Sequence, residues 1–202
     1  MKNLKIFLLI ILFAAFSVNS FSQKLKLTKG DLKFLKGVKE LKLSYTYDNM
    51  NVGKYSEEDY VAKKKKEYNE DEAGRGDKWE KMWVEDRERR FEPKFEELFV
   101  KYLSDKADAD AGQHSDAEYM LIFHTYFTEP GYYIGISQAP AYINCEAIFV
   151  KTSNPEEVLA VVDIKKSPGR SGASWDTGER IKEAYAKAGK ELAKFLLKKK
   201  LF

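Results

Sequence analysis

Cysteine is nearly absent from this chain: Cys145 is the single one among 202 residues. An intramolecular disulfide is thereby excluded, so a domain of this length must be held by its core. Histidine is scarce too. His114 and His124 stand ten residues apart, one in a polar loop and one in a strand-like run, which is no local metal-pair spacing. Charge of one sign is lacking, since 35 Lys and Arg face 32 Asp and Glu for a net +3. With a third of the residues charged, that balance describes a solvated surface, not a nucleic-acid binder with concentrated positive charge. Neither Gly-Lys-Ser/Thr nor Gly-x-Gly-x-x-Gly occurs, so the Walker A and dinucleotide fingerprints are excluded.

What is present begins at the amino terminus. Lys2 and Lys5 precede an unbroken apolar run from Ile6 to Phe16, and small residues follow at Ser20 and Ser22. This is the three-part layout of a secretory signal peptide. The run is far shorter than the roughly 20 residues a spanning helix needs, which weighs against the other reading, an uncleaved anchor. Cleavage after Ser20 or Ser22 fits, with Ser22 preferred, and no cysteine stands at the junction to carry a lipid. Removing residues 1–22 takes away two lysines and no acids, leaving a charge of +1. The expected destination is the periplasm or the exterior, with no membrane-spanning segment after cleavage.

Residues 23–37 alternate lysine and leucine up to Gly37 and are assigned as an amino-terminal arm, with an edge strand or a single helical turn as alternatives. Residues 38–202 are expected to form one domain. Leu41, Leu43, Tyr45 and Tyr47 alternate with polar residues, the period of a half-buried strand. Ser56-Glu-Glu-Asp59 reads as a helix start with a capping box. Trp79, Met82, Trp83, Phe91, Phe95, Leu98, Phe99, Tyr102 and Leu103 recur near helical spacing, and Pro93 should kink that helix or begin a second one. Strands follow at 119–127, 142–151 and 157–166. A last helix runs from about Asp176, with Ile181, Ala184, Tyr185, Ala188, Leu192, Phe195 and Leu196 as its buried stripe. The fold class is α+β, a two-layer α/β arrangement with one mixed sheet of about four strands. Its element order is β–α–α–β–β–β–α, with helices packed on the sheet. The long helical crossover lets the first two strands lie parallel, and short links make the last three an antiparallel meander.

Several segments are weighed as sites. The glycine-rich loop 167–176 leads into a helix, an arrangement that can hold an anion, with Arg170 and Arg180 adding charge. Asp176 would cap that helix and oppose an anion, so a capped connecting loop is the competing reading. Asp163 and His124 complete a dispersed set of ligand-binding candidates. Asn69 to Glu80 brushes the calcium-loop pattern but has Ala73 and Gly76 where a ligand and an apolar residue belong. No metal and no cofactor are expected. The lysine runs 63–66 and 198–200 suit an anionic surface, yet acids flank the first and a solvated helix face explains it. Residues 128–141 form a long connection in which Tyr132, Tyr133 and Ile134 are candidates for partner binding. The alternative is a hairpin arm packed on its own domain.

The leader ending in Phe21-Ser-Gln23, the Ser56-Glu-Glu-Asp-Tyr60 helix start, the Trp79 and Trp83 pair, Glu129-Pro-Gly131 and the Arg180 to Ala193 helix together resemble a family of uncharacterised exported bacterial proteins. The element order is similar to periplasmic α/β domains of the curli-secretion and TolB amino-terminal kinds. This resemblance implies an envelope location and conveys no activity. With no acid–base or nucleophile constellation in view, the expected function is a non-catalytic periplasmic binding or assembly protein. Its partner would be an envelope protein or lipid, reached through a sheet edge or the tyrosine-rich connection. The competing reading is a small-ligand binder or enzyme with a site near loop 167–176.

Overall fold

A computed structural model of the chain describes residues 23–112, 116–169 and 174–202. The first strand, β1 (Lys24–Gly30), turns Leu25 and Leu27 toward the core and leaves Lys24 and Lys26 in solvent. Of the alternatives for this stretch, an edge strand forms. A single 3-10 turn (Lys33–Leu35) follows and buries Leu35 completely. Strand β2 (Glu40–Thr46) buries Leu41 and Leu43, as the period of two requires. Two very short strands, β3 (Asn51–Val52) and β4 (Tyr55–Ser56), occupy the turn-rich loop.

Helix α1 (Glu57–Asp71) starts where the capping sequence places it, the Ser56 hydroxyl accepting from the Asp59 amide at 3.1 Å. It buries no residue and leans on its neighbour through aromatic contacts, with Tyr60 and Tyr68 against Trp79 and Trp83. Helix α2 (Arg75–Asp86) runs through a π turn (Arg87–Phe91) into α3 (Glu92–Ala107). Pro93 explains the π turn. Proline has no amide to give, so the ladder is re-spaced just ahead of it, and the Glu92 amide reaches back to the Arg87 carbonyl.

Strand β5 (Asp110–Gly112) is followed by the long strands β6 (Tyr119–Glu129), β9 (Tyr142–Lys151) and β10 (Asn154–Pro168). Between β6 and β9 lies a separate hairpin of β7 (Tyr132–Tyr133) and β8 (Gln138–Ala139). Helix α4 (Thr177–Lys198) closes the chain. The main sheet runs β1-β10-β9-β6-β2-β5, with β3 paired to the end of β6 and β4 to β3. Parallel pairing joins β2 to β6, and antiparallel pairing joins β6, β9 and β10, as the connection lengths predict.

The core lies between one face of this sheet and helices α3 and α4. Leu121, Phe123, Cys145, Ala147, Phe149, Val162 and Ile164 meet Phe95, Phe99, Ile181, Tyr185, Ala188 and Leu192 there. The two helices touch so closely at Gly189 that a Cβ there would overlap the Phe95 carbonyl. The other sheet face carries Ser44, Thr46, Ile122, His124, Glu146, Ile148 and Asp163, all half-buried. A two-layer α+β architecture is therefore present, but the sheet has eight strands and not about four. The added strands are β1, whose lysine alternation also suits a loose arm, and β3, β4 and β5. Two or three residues are too few to display a period.

Candidate functional site

Of the described ligand candidates, His124 and Asp163 lie on one sheet face and Arg180 lies apart from them. Arg170 and His114 lie outside the described residues. His124 and Asp163 share the open sheet face. The His124 ring bonds the Thr46 hydroxyl at 3.0 Å, and Asp163 accepts from the Tyr126 hydroxyl at 2.9 Å and pairs with Lys165 at 3.3 Å. Tyr126 stands between them, its phenol pushed up first by burial and then by Asp163. Cys145 is fully buried on the opposite face, its thiol raised by burial, which is the setting of an inert cysteine.

Arg180 has a different environment. It is 4% exposed and its guanidinium points into the protein. It donates to the Pro130 carbonyl at 3.2 Å, the Gly131 carbonyl at 3.4 Å, the Ser174 carbonyl at 2.6 Å and the Thr177 hydroxyl at 2.9 Å. Burial draws the group below its ordinary value. An arginine spent on four protein oxygens is a tether, joining the start of α4 to the base of the β7–β8 hairpin.

Asp176 caps α4, accepting from the Gly178 and Glu179 amides at 2.8 and 3.3 Å and from Arg90 at 2.7 Å. Burial opposes its ionisation, but the Arg90 bond and the two amides outweigh that and hold the carboxyl below its usual range. Its stabilising effect is therefore present above the ordinary carboxylate pKa and is lost as pH falls through the lowered folded value. Replacing Asp176 by alanine is expected to cost about 1 kcal/mol at neutral pH. Urea unfolding at neutral and acidic pH checks this, because the gap from the wild type should close in acid. A gap independent of pH would mean that the carboxylate charge is not what stabilises the helix start.

The calcium-like stretch is a helix–helix junction. Lys65 lies 3.0 Å from Asp77 and 2.7 Å from Glu80, while the Asn69 side-chain oxygen accepts from the Gly76 amide at 2.7 Å. Among the described residues no group of three His, Cys, Asp or Glu is placed to hold a metal ion. In the lysine run, Lys63 and Lys64 pair with Glu67, and Lys66 pairs with Glu70. Around the π turn, Glu57 accepts from the Trp83 indole at 2.7 Å and from Arg87, which covers the Tyr47 ring at 4.2 Å. Tyr47 in turn donates to Glu92 at 3.0 Å. This network ties α1, β2 and the π turn together. A surface depression of about 620 Å³ lies between Pro93, Glu96, Val100 and Gly112, and none of the described ligand candidates lines it.

The β7–β8 hairpin bonds its polar groups within itself and leaves apolar side chains at its tip exposed. Its turn closes through the Ile134 amide to the Ser137 carbonyl and the Ile136 amide to the Ile134 carbonyl, both at 3.0 Å. Gly135, at φ +81°, supplies the left-handed residue, with open space around it. Tyr132 bonds Ser137 at 3.0 Å, and the Tyr133 ring meets Trp175 edge-on at 4.9 Å. Ile136 is 99% exposed, Trp175 72%, Ile134 58% and Tyr132 47%. Large apolar groups this exposed occur elsewhere among the described residues only at Met82 and Val84 of α2. The partner-binding candidates Tyr132, Tyr133 and Ile134 stand on this hairpin, and Ile136 and Trp175, not singled out as candidates from the sequence, are exposed with them. An isolated tryptophan in a glycine-serine loop was the available signal for the latter.

No protein-family model matches this chain, and no curated protein matches it. Among solved structures, a PelC dodecamer from Paraburkholderia phytofirmans is similar at 13% identity and TM-score 0.41, over 87% of this chain and 95% of that one. A variant of the same PelC in another crystal form gives 12% identity and TM-score 0.40, over 86% and 96%. A Xanthomonas campestris protein of the family DUF330 gives 14% identity and TM-score 0.36, over 79% and 84%. These three are not the curli-secretion or TolB domains expected from element order, and likeness at this level assigns no activity. Among the described residues no helix is long and apolar enough to cross a membrane.

Proposed function

We propose that this chain is a non-catalytic binding protein of a bacterial envelope, exported on residues 1–22 to the periplasm or beyond. It holds its partner through the β7–β8 hairpin and Trp175. The observation that carries this reading is the gathering of Tyr132, Ile134, Ile136 and Trp175 on one projection, tethered at its base by Arg180. Exposed apolar side chains scattered singly need no explanation, whereas a cluster on a held hairpin marks a contact surface. A sheet edge is the weaker route. The β1 edge is guarded by Lys24, Lys26 and Lys29 and is broken by a bulge after Leu27, and the β5 edge has three residues. Residues 23–37 are then part of the exported chain and not of the docking surface.

Fractionation of cells producing the full chain tests the proposal. The wild-type protein should stay with washed envelopes, while Ile136→Asp should shift at least about tenfold toward the soluble fraction, the change expected for losing one buried aliphatic anchor. Equal retention of the two would sink the hairpin as the docking element.

A further inference from the structure

Resting on that reading, we infer that the partner is a lipid bilayer surface, with the hairpin tip entering it. Three features of the hairpin lead there. Side-chain chemistry is graded along it: Ile134 and Ile136 occupy the tip, while Tyr132 and Tyr133 form the rungs nearer the body, with Trp175 packed beside them. Aliphatic groups ahead of aromatic rings with a polar handle is the order found across the boundary between acyl chains and headgroups. Next, the tip satisfies polar groups within itself. The Ile134 and Ile136 amides and the Tyr132 and Ser137 hydroxyls all bond inside the hairpin, which lowers the cost of leaving water. Finally, the tip stands free, with open space at the Gly135 Cβ position and Ile134 and Ile136 exposed, and a fluid surface can accommodate it without a matching pocket.

Charge at the same end of the molecule agrees. The β3–β4 turn is fastened to the end of β6 by the Gly53 amide and the Thr128 carbonyl at 2.9 Å. It presents Lys54, and with Lys63 this brackets the Tyr55 ring at 5.3 and 4.9 Å. Of the acids nearby, Glu67 pairs with Lys63 at 3.7 Å, Glu57 is held by Arg87 and Trp83, Asp59 accepts from Ser56, and Glu129 accepts from the Gly131 amide, while Glu58 is exposed. With Lys63 partly offset by Glu67, Lys54 adds modestly to binding on anionic lipid, and apolar insertion carries most of it.

The test is co-sedimentation of the protein recovered from cells, its amino terminus read by mass spectrometry. The probes are vesicles of phosphatidylethanolamine with phosphatidylglycerol, and of phosphatidylcholine alone. The wild type should bind both, more strongly the anionic ones, and Ile136→Asp should weaken binding at least about tenfold. Quenching of tryptophan fluorescence by brominated lipid should be seen in the wild type. It should fall sharply in Trp175→Phe, which still sediments. Because Ile136 is 99% exposed, its substitution leaves the unfolding midpoint unchanged, so lost binding is not lost folding. Wild-type protein that ignores both vesicles overturns the bilayer. If Ile136→Asp still leaves the envelope fraction in that case, the hairpin docks on a protein. Equal vesicle binding by both proteins also overturns it, since the contact then lies elsewhere.

Discussion

Phe95→Ala is expected to lower the stability of the protein by about 3–5 kcal/mol, the range for removing a buried phenylalanine that the surroundings cannot replace. The Phe95 side chain has no solvent exposure. Its ring lies 4.2 Å from Phe123 of β6, 5.4 Å from Phe99 one turn on and 5.9 Å from Tyr45 of β2. Its backbone is pinned as well, because the carbonyl rests against Gly189 of α4. With sheet and helix both fixed, little can move in to fill the void. Against a typical total of about 5–15 kcal/mol, such a loss brings the fold near its threshold. Urea titration reads it as a lower midpoint at unchanged slope. A loss under about 1 kcal/mol would show that the layers slide together there.

Arg180→Ala should act more locally and nearly as strongly. Removing the guanidinium leaves the carbonyls of Pro130, Gly131 and Ser174 without their donor. The Pro130 bond is buried and its unpaired acceptor costs about 1–3 kcal/mol, while the part-buried Gly131 and Ser174 carbonyls lose less. Water can reach the buried Pro130 carbonyl once the hairpin lifts away. The expected signature is therefore hydrogen exchange at the hairpin amides faster by about tenfold or more, while the β6, β9 and β10 amides keep their protection. Arg180→Lys should rescue little, since an ammonium cannot fork across several oxygens. Uniform acceleration throughout the sheet would show instead that Arg180 holds up the whole fold and not the hairpin.

Where side chains repeat with a period, the fold was legible. The Leu41–Tyr47 alternation marks β2, and the stripe from Ile181 to Leu196 marks the buried face of α4. Ser56 announces α1 through a hydroxyl that does cap it. Connection lengths sufficed to set parallel β2 and β6 against the antiparallel meander. What stayed hidden lacks a local period. The strands β3, β4, β7 and β8 have two residues each. Pro93 signalled an irregularity, but a proline ahead of a continuing helix does not reveal whether the chain breaks or re-spaces its hydrogen bonds. Arg180 in sequence is a cation near a helix start. Its inward direction depends on carbonyls about fifty residues away, which no window of sequence contains.

The position of β1 has a consequence for the order in which the molecule can be completed. Its residues are the first of the described fold, yet Lys24 pairs with Lys165 and Gly30 with Ala160. A chain that emerges amino terminus first, from a ribosome or through a channel, presents β1 long before β10 exists. The strand must wait, unpaired, for nearly the whole polypeptide to follow. Contacts so distant along the chain are slow to form. The β1 edge of the sheet is therefore among the last seams to close, and its lysines keep the waiting strand in water until then.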